Sequence, residues 1–323
     1  MPNSASLIPA IPDIGDPAQA QSRSKLAIEP RRVKLAFDDI SSPFFYNNNS
    51  CISAMWVALS ATFPAGESEF IKSVNLFEHQ LTDAKLKQDV KDFTQQEAHH
   101  SLQHKKINQV FDGLGYQTAK LNAAFKNELA KREQKWSSEK RLARTVCAEH
   151  VTAVMAHHAL THPEHMTHFP ESFRNLFLWH AIEEIEHKSV AFDVYMHCVG
   201  DIDLLHKQYK LFTRFEFPFS TWMSGRFLLK KLGRKVTWKE RKELWHSLYG
   251  NGGLIGDMKP LYTQFLTQDF HPWDHDDSAL VAQWKEKLSP FFTHQPRSPC
   301  AGRVRWGLEP VGVFRVGGRL CGI

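Results

Sequence analysis

Residues 179–195 read WHAIEEIEHKSVAFDVY, with two histidines and three glutamates between His180 and His187 and apolar residues on either side. Phe173, Leu176 and Phe177 precede the cluster; Val190, Ala191 and Val194 follow it. An α-helix turns about 100° per residue, so positions i, i+3, i+4 and i+7 share a face. With Glu184 as origin, His180 and His187 fall within about 60° of it. Their stripe continues through Phe173, Leu176, Phe177, Ala191, Val194 and Cys198, while Glu183, Glu186 and Lys188 point towards the sides. The pattern predicts a helix over 171–199 that carries His180, Glu184 and His187 on its core-facing side.

Three further segments read the same way: 50–80, which FPAG (63–66) interrupts; 82–112, which the loop around TAKLN (118–122) follows; and 137–160. On the second, the stripe Leu86, Val90, Phe93 runs into Glu97, His100 and His104 and resumes at Phe111. On the third, Leu142, Val146, Ala153, Ala156 and Leu160 flank an inward Glu149; on the first, Trp56, Phe63, Ile71 and Val74 flank Glu67, with Glu69 nearly opposite and expected in solvent. Four helices thus each set a carboxylate in an apolar seam, and two of them add a Glu-x-x-His pair. Four buried carboxylates without partners are prohibitively costly. Two divalent cations would balance them, and imidazole with carboxylate suits iron or manganese, zinc being an alternative. A Glu from each of two helices with Glu-x-x-His from the other two is the signature of di-iron carboxylate bundles. The expected fold is therefore all-α, a ferritin-like four-helix bundle with additional C-terminal helices near 203–232, 236–250 and 278–289.

The runs FPAGESEFI, QQEAHHSLQHKKIN, CAEHVTA and WHAIEEIEHKSVAFDVY resemble a bacterial family described as predicted metal-dependent hydrolases, over about residues 45–280 and including FHPWD at 270–274. The tail from about 296 does not resemble it. His180 extends Glu-x-x-His to His-x-x-x-Glu-x-x-His, which is similar to p-aminobenzoate N-oxygenase-type di-iron enzymes. That likeness implies the ligands Glu67, Glu97, His100, Glu149, His180, Glu184 and His187, two iron ions, and O₂ activation on a small-molecule substrate with an electron donor. The hydrolase resemblance implies instead a metal-activated water, and a non-enzymatic metal-binding bundle is the third reading. No general base or nucleophile beyond the metal site is required.

Taken singly, each residue also has an ordinary explanation. A lone helical glutamate is usually solvated, and Glu67 could be a first-turn carboxylate after FPAG. His104 could support a ligand or be a hydrogen-bonded core histidine. Glu183 or Asp193 could orient a ligand imidazole, against a competing role in surface salt bridges. His99, His150, His157 and His158 fall off the inward faces and are expected at the surface. The box HHSLQH also occurs in membrane desaturases, which need spanning helices; His275-Asp276 alone does not make a phosphohydrolase site.

Composition sets the outer limits. The chain has 323 residues and a formal net charge of +5, with cations and anions interspersed, which argues against nucleic acid as a partner. Fourteen of the 18 histidines lie between His79 and His206, pointing to that interval as the chemical part of the chain. Five cysteines without CxxC spacing suit a reducing setting, and neither a membrane span nor a secretory signal is evident. A cytoplasmic location is expected, and a homodimer is compatible with the sequence. Residues 1–35 read as a flexible segment, 36–290 as the metal-binding helical domain and 291–323 as an irregular tail. RFLLKKLGRKVTWKERK (226–242) has the pattern of a basic amphipathic helix; its glutamate and the modest net charge favour a solvated face over a membrane surface.

Overall fold

The computed structural model describes residues 23–293, which form an all-α structure with a single two-residue pairing of β1 (Arg32–Val33) against β2 (Phe292–Thr293). The four long segments become α1 (Ser50–Asn75), α2 (Ala84–Gly113), α4 (Ser138–Thr161) and α6 (Glu171–His187), the last continued by α7 (Val190–Cys198) after a break at Lys188–Ser189. Side-chain caps start three of them: Asn49 accepts from Ile52 N, Asp83 from Leu86 N and Ser137 from Lys140 N.

Two apolar clusters divide the bundle by depth. One contains Ala54 and Val57 of α1, Ile107 and Phe111 of α2, Ala156 and Leu160 of α4, and Phe173 and Leu176 of α6. The other contains Val74 of α1, Val90 and Phe93 of α2, Leu142 and Val146 of α4, and Val190 and Val194 of α7. Chain direction follows: α1 and α6 run from the first cluster to the second, α2 and α4 the opposite way. Two antiparallel hairpins result, joined between α2 and α4 by a crossover, α3 (Thr118–Lys135), which packs on α1 and α2. The candidate ligands all lie at the level where one cluster gives way to the other.

Three elements differ from the sequence reading. FPAG (63–66) does not interrupt the first helix; α1 continues through Pro64. Proline removes the N–H that would reach the Ser60 carbonyl, and Asn108 Nδ2 donates to that oxygen at 2.9 Å in its place. Helix α3 was expected as a loop around TAKLN. Its sequence is polar and its N-terminus lacks a cap of its own; Asp112, at the end of α2, accepts from Thr118 N (2.6 Å) and Ala119 N (3.2 Å) across a turn with Gly115 at φ +97°. Residues 23–35, assigned to the flexible lead-in, lie against the bundle with Ile28 and Val33 buried. Residues 1–22 and the tail from 294 fall outside the described residues.

Beyond the bundle, α5 (Pro163–Met166) lies in the α4–α6 connection and α8 (Ile202–Leu211) packs on α4. A π-helical turn (Phe212–Glu216) joins α8 to α9 (Phe217–Lys231), which lies along α1. The remaining helices are α10 (Trp238–Tyr249), α11 (Lys259–Gln264) and α12 (Ser278–Leu288), the last against α6. Among the described residues no helix is long and apolar enough to cross a membrane.

Candidate metal centre

All seven candidate ligands are buried, and the bundle brings them together. Ligand atoms of Glu67, Glu97 and His100 lie within 4.8 Å of one another, as do those of His100, His180 and Glu184, and those of Glu97, Glu184 and His187. Glu149 joins through His187, whose Nε2 is 3.4 Å from its Oε2 and 3.2 Å from Glu97 Oε1. His180 Nε2 lies 2.8 Å from Glu184 Oε1 and 3.9 Å from Glu67 Oε1.

Each imidazole is held from behind, and those partners fix its tautomer. Gln96 Nε2 donates to Glu186 Oε2 (2.8 Å) and the Glu29 carbonyl (3.3 Å), so Gln96 Oε1 accepts from His187 Nδ1–H at 2.9 Å. The Glu183 carboxylate accepts from His100 Nε2–H at 3.1 Å. For His180 the assignment runs along a chain. Asn108 Nδ2 donates to the Ser60 carbonyl, so Asn108 Oδ1 accepts the Ser60 hydroxyl proton at 2.8 Å. Ser60 Oγ then accepts from His104 Nδ1–H (2.9 Å), and His104 Nε2 accepts from His180 Nδ1–H (2.9 Å). All three imidazoles therefore aim a lone pair inward: His100 Nδ1, His180 Nε2 and His187 Nε2.

Four carboxylates meet these lone pairs. Both oxygens of Glu67, Glu97 and Glu149, together with Glu184 Oε2, His100 Nδ1 and His187 Nε2, are buried without a hydrogen-bond partner. Buried polar groups are almost always paired, so this concentration of acceptors fits cations. Electrostatics agrees. Burial, with neighbouring carboxylates, pushes Glu67 and Glu97 well above the usual carboxylate range, and burial takes Glu149 up to about 7. Burial opposes charge on His187, but the carboxylates of Glu149 and Glu184 beside it (3.4 and 3.7 Å) push it well up; burial drives His100 and His104 well down. Against its own burial, Glu184 is held low by the imidazoles of His180 and His187 beside it.

Several flanking residues depart from the sequence reading. Glu183 and Glu186 do not face solvent; both are fully buried. Arg31 reaches from the N-terminal segment to Glu186 with both guanidinium nitrogens (2.7 and 2.9 Å), Lys285 also pairs with Glu186, and Arg31 N donates to Glu183 Oε1 (3.0 Å). Asp193 touches no candidate ligand; it accepts from Ser189 Oγ and sits 2.9 Å from His271 Nε2. His150 and His158 are buried, bonded to the carbonyls of Leu261 and Gly252. Glu69 takes a bidentate ion pair from Arg141, not solvent. Gln96, Arg31, Ser60 and Asn108 were not singled out from the sequence. Gln96 neighbours Glu97, but nothing local marks it, and Arg31 lies about 150 positions from its partners. Rings close the site: Phe63 against His104 and His180, Phe93 against His187, and Trp179 against His100, with centroids 4.7–5.2 Å apart.

A second group of the same residue types lies outside this centre. Asp277 Oδ1 is 2.7 Å from His157 Nδ1 and 3.2 Å from His275 Nε2, and Asp277 Oδ2 accepts from Lys188 Nζ at 2.6 Å.

Residues 29–276 match the family model described as "Predicted metal-dependent hydrolase". The chain belongs to this family. No curated protein and no solved structure matches it. Membership indicates a metal-dependent enzyme and is consistent with the paired imidazole and carboxylate groups of the bundle.

Proposed function

We propose that this family member holds two divalent ions with Glu67, Glu97, His100, Glu149, His180, Glu184 and His187, in a ferritin-like bundle, and hydrolyses a small-molecule substrate. The observation that carries the proposal is the convergence of three inward lone pairs and four carboxylates, most of whose acceptor atoms have no partner in the chain. Glu97 and Glu184 each share one close group with His100 and another with His187, so they would serve both ions; Glu67, His100 and His180 would complete one side, Glu149 and His187 the other. Bound divalent ions supply an acidified water, with a pKa lowered to about 7, and polarise the substrate.

The chain's own residues do the remainder. Glu183, Gln96 and His104 hold the outer imidazole protons, which keeps the inward nitrogens basic and the rings fixed. Phe63, Phe93 and Trp179 limit water around the site. A second reading rests on the donor set itself: carboxylate-rich ligation with a pair of Glu-x-x-His motifs suits iron, and with it O₂-dependent oxidation fed by an external electron donor.

Metal analysis of aerobically purified protein, followed by parallel assays, tests both. About two ions per chain, with hydrolysis of ester or phosphoester substrates and no O₂ uptake, supports the hydrolase. Iron with substrate-dependent O₂ uptake and no hydrolysis replaces it by the oxygenase. A purified chain that takes up no metal on reconstitution overturns both.

A further inference from the structure

Large apolar side chains that remain exposed are concentrated in one part of the chain. Eight of the ten among the described residues fall between 211 and 249. Leu211, Phe215, Phe219, Trp222 and Met223 recur at helical spacing along α8–α9 and form one stripe, Phe215 with 66% of its surface exposed. Trp238, Trp245 and Tyr249 form a second stripe on α10, Trp238 being 80% exposed. Solitary exposed apolar residues need no explanation, but two aromatic stripes on consecutive helices do.

Charge separates these helices from the rest of the molecule. Residues 207–249 contain eleven Lys and Arg against three Asp and Glu, a local excess of +8 where the whole chain carries +5. The three acids are each engaged: Glu216 binds Arg132 (2.6 Å) and Arg144 (2.5 Å), buried Glu240 binds Ser50 and Thr237, and exposed Glu243 binds Asn49 and lies 3.8 Å from Lys239. Beside the first stripe lies an open groove of about 740 Å³, lined by Lys140, Arg144 and Arg214 with Phe215, Phe219 and Trp222; its one carboxylate, Glu216, is already paired with Arg144 and Arg132, leaving Lys140 and Arg214 as the excess charge. Cations over an apolar, aromatic wall match a phospholipid with an anionic headgroup: acyl chains against the rings, phosphate against the Lys and Arg. Arg226 stacks its guanidinium 5.0 Å from the Trp222 ring, keeping charge beside the aromatic. Tryptophan and tyrosine with flanking Lys and Arg are the side chains that settle at a membrane–water interface.

We infer that α8–α9 and α10 dock this protein on an anionic bilayer surface, with the Lys140/Arg144/Arg214 groove receiving a lipid headgroup. Sequence alone favoured a solvated face for 226–242; exposure of the aromatic stripes reverses that preference. The inference is independent of the chemistry at the buried centre.

Co-sedimentation of the full chain with phosphatidylglycerol-containing vesicles, compared with pure phosphatidylcholine vesicles, tests it. Binding is expected to the anionic vesicles, weaker by roughly ten-fold on neutral ones and falling as salt rises. The combined Phe215→Ser, Phe219→Ser and Trp222→Ser variant should lose roughly ten-fold in binding while retaining its helical circular dichroism. Arg214→Glu with Lys140→Glu, which leaves the apolar stripe intact, should lose a comparable factor. Absence of vesicle binding overturns the proposal. So does binding that the apolar variant leaves unchanged, or self-association in sedimentation velocity that the same variant abolishes, since the stripe would then join two copies of the chain.

Discussion

Two histidine–carboxylate groups in this protein, one fully buried and one with only its acid buried, differ in how their charges are balanced. Around Asp277, every acid has a counterpart: His157 and His275 on one oxygen, Lys188 on the other. Although burial pushes the Asp277 carboxyl up, these partners hold it well below the usual range. Around Glu97 and Glu184 the carboxylates outnumber every donor in reach, and burial pushes three of the four up. One group is balanced by its own chain; the other is not. A histidine–carboxylate cluster points to a metal when its acceptors remain unpaired, not merely because of its residue types.

The largest effects follow from breaking each group at its centre. Asp277→Asn removes the counter-charge of Lys188, which is itself buried. Removing one partner of a buried pair costs about 3–5 kcal/mol, so the variant should melt well below the wild type while keeping its full metal content. Glu184→Ala should act chiefly on the metal. It takes away a carboxylate shared by two of the close groups, so metal content by plasma emission should fall close to zero. The apo protein should also melt somewhat lower than wild-type apo protein, because Glu184 is the one carboxylate of the four that His180 and His187 hold low. Full metal retention in Glu184→Ala would remove the ligand assignment.

A smaller effect separates the two groups by pH. Burial takes Glu149 up to about 7, and Glu67, Glu97 and His187 are also raised. Groups with raised folded-state pKa values bind more protons folded than unfolded, so their contribution is lost as pH rises through those values. The buried, depressed His100 and His104 act in the opposite direction only below about 6.5. Between pH 6.5 and 8, therefore, metal-free protein should become less stable as pH rises. Metal affinity should increase over the same window, since ligands must shed protons to bind. Asp277, depressed well below neutrality, contributes nothing to this slope. Thermal melts of apo and metal-loaded protein across that range check the sign, and a flat apo profile would contradict it.

The candidate centre was legible in the sequence because helical periodicity is local. Glu184 with His180 and His187, and Glu97 with His100, share faces at fixed spacing, and the apolar residues between them show which face is inward. What supports the centre was not legible, because it is assembled across distance. Glu183 and Glu186 lie off the inward stripe and read as solvent-facing. They are buried because Arg31 and Lys285, far away in sequence, cover them. Pro64 read as an interruption for a related reason: the donor that replaces its missing N–H comes from Asn108 on another helix. Polar α3 had no inward stripe to reveal it, and its cap belongs to the preceding helix.

Gln96 gives the smallest and most discriminating effect. Its oxygen accepts the His187 Nδ1 proton while its amide donates to Glu186, so it links the unbalanced centre to the balanced outer network. Gln96→Leu keeps the side chain's approximate volume but removes all three of its hydrogen bonds, leaving His187 free to rotate or to carry its proton on Nε2. Loss of an outer partner typically weakens metal binding about 10–100-fold. The variant should therefore still load fully in excess metal, and its weakened affinity should appear only on titration against a chelator. Gln96→Glu, which still accepts from Nδ1 but brings a like charge against Glu186, should recover part of the affinity and lose thermal stability. Equal chelator resistance in Gln96→Leu and wild type would mean that the inward orientation of His187 does not depend on this bond.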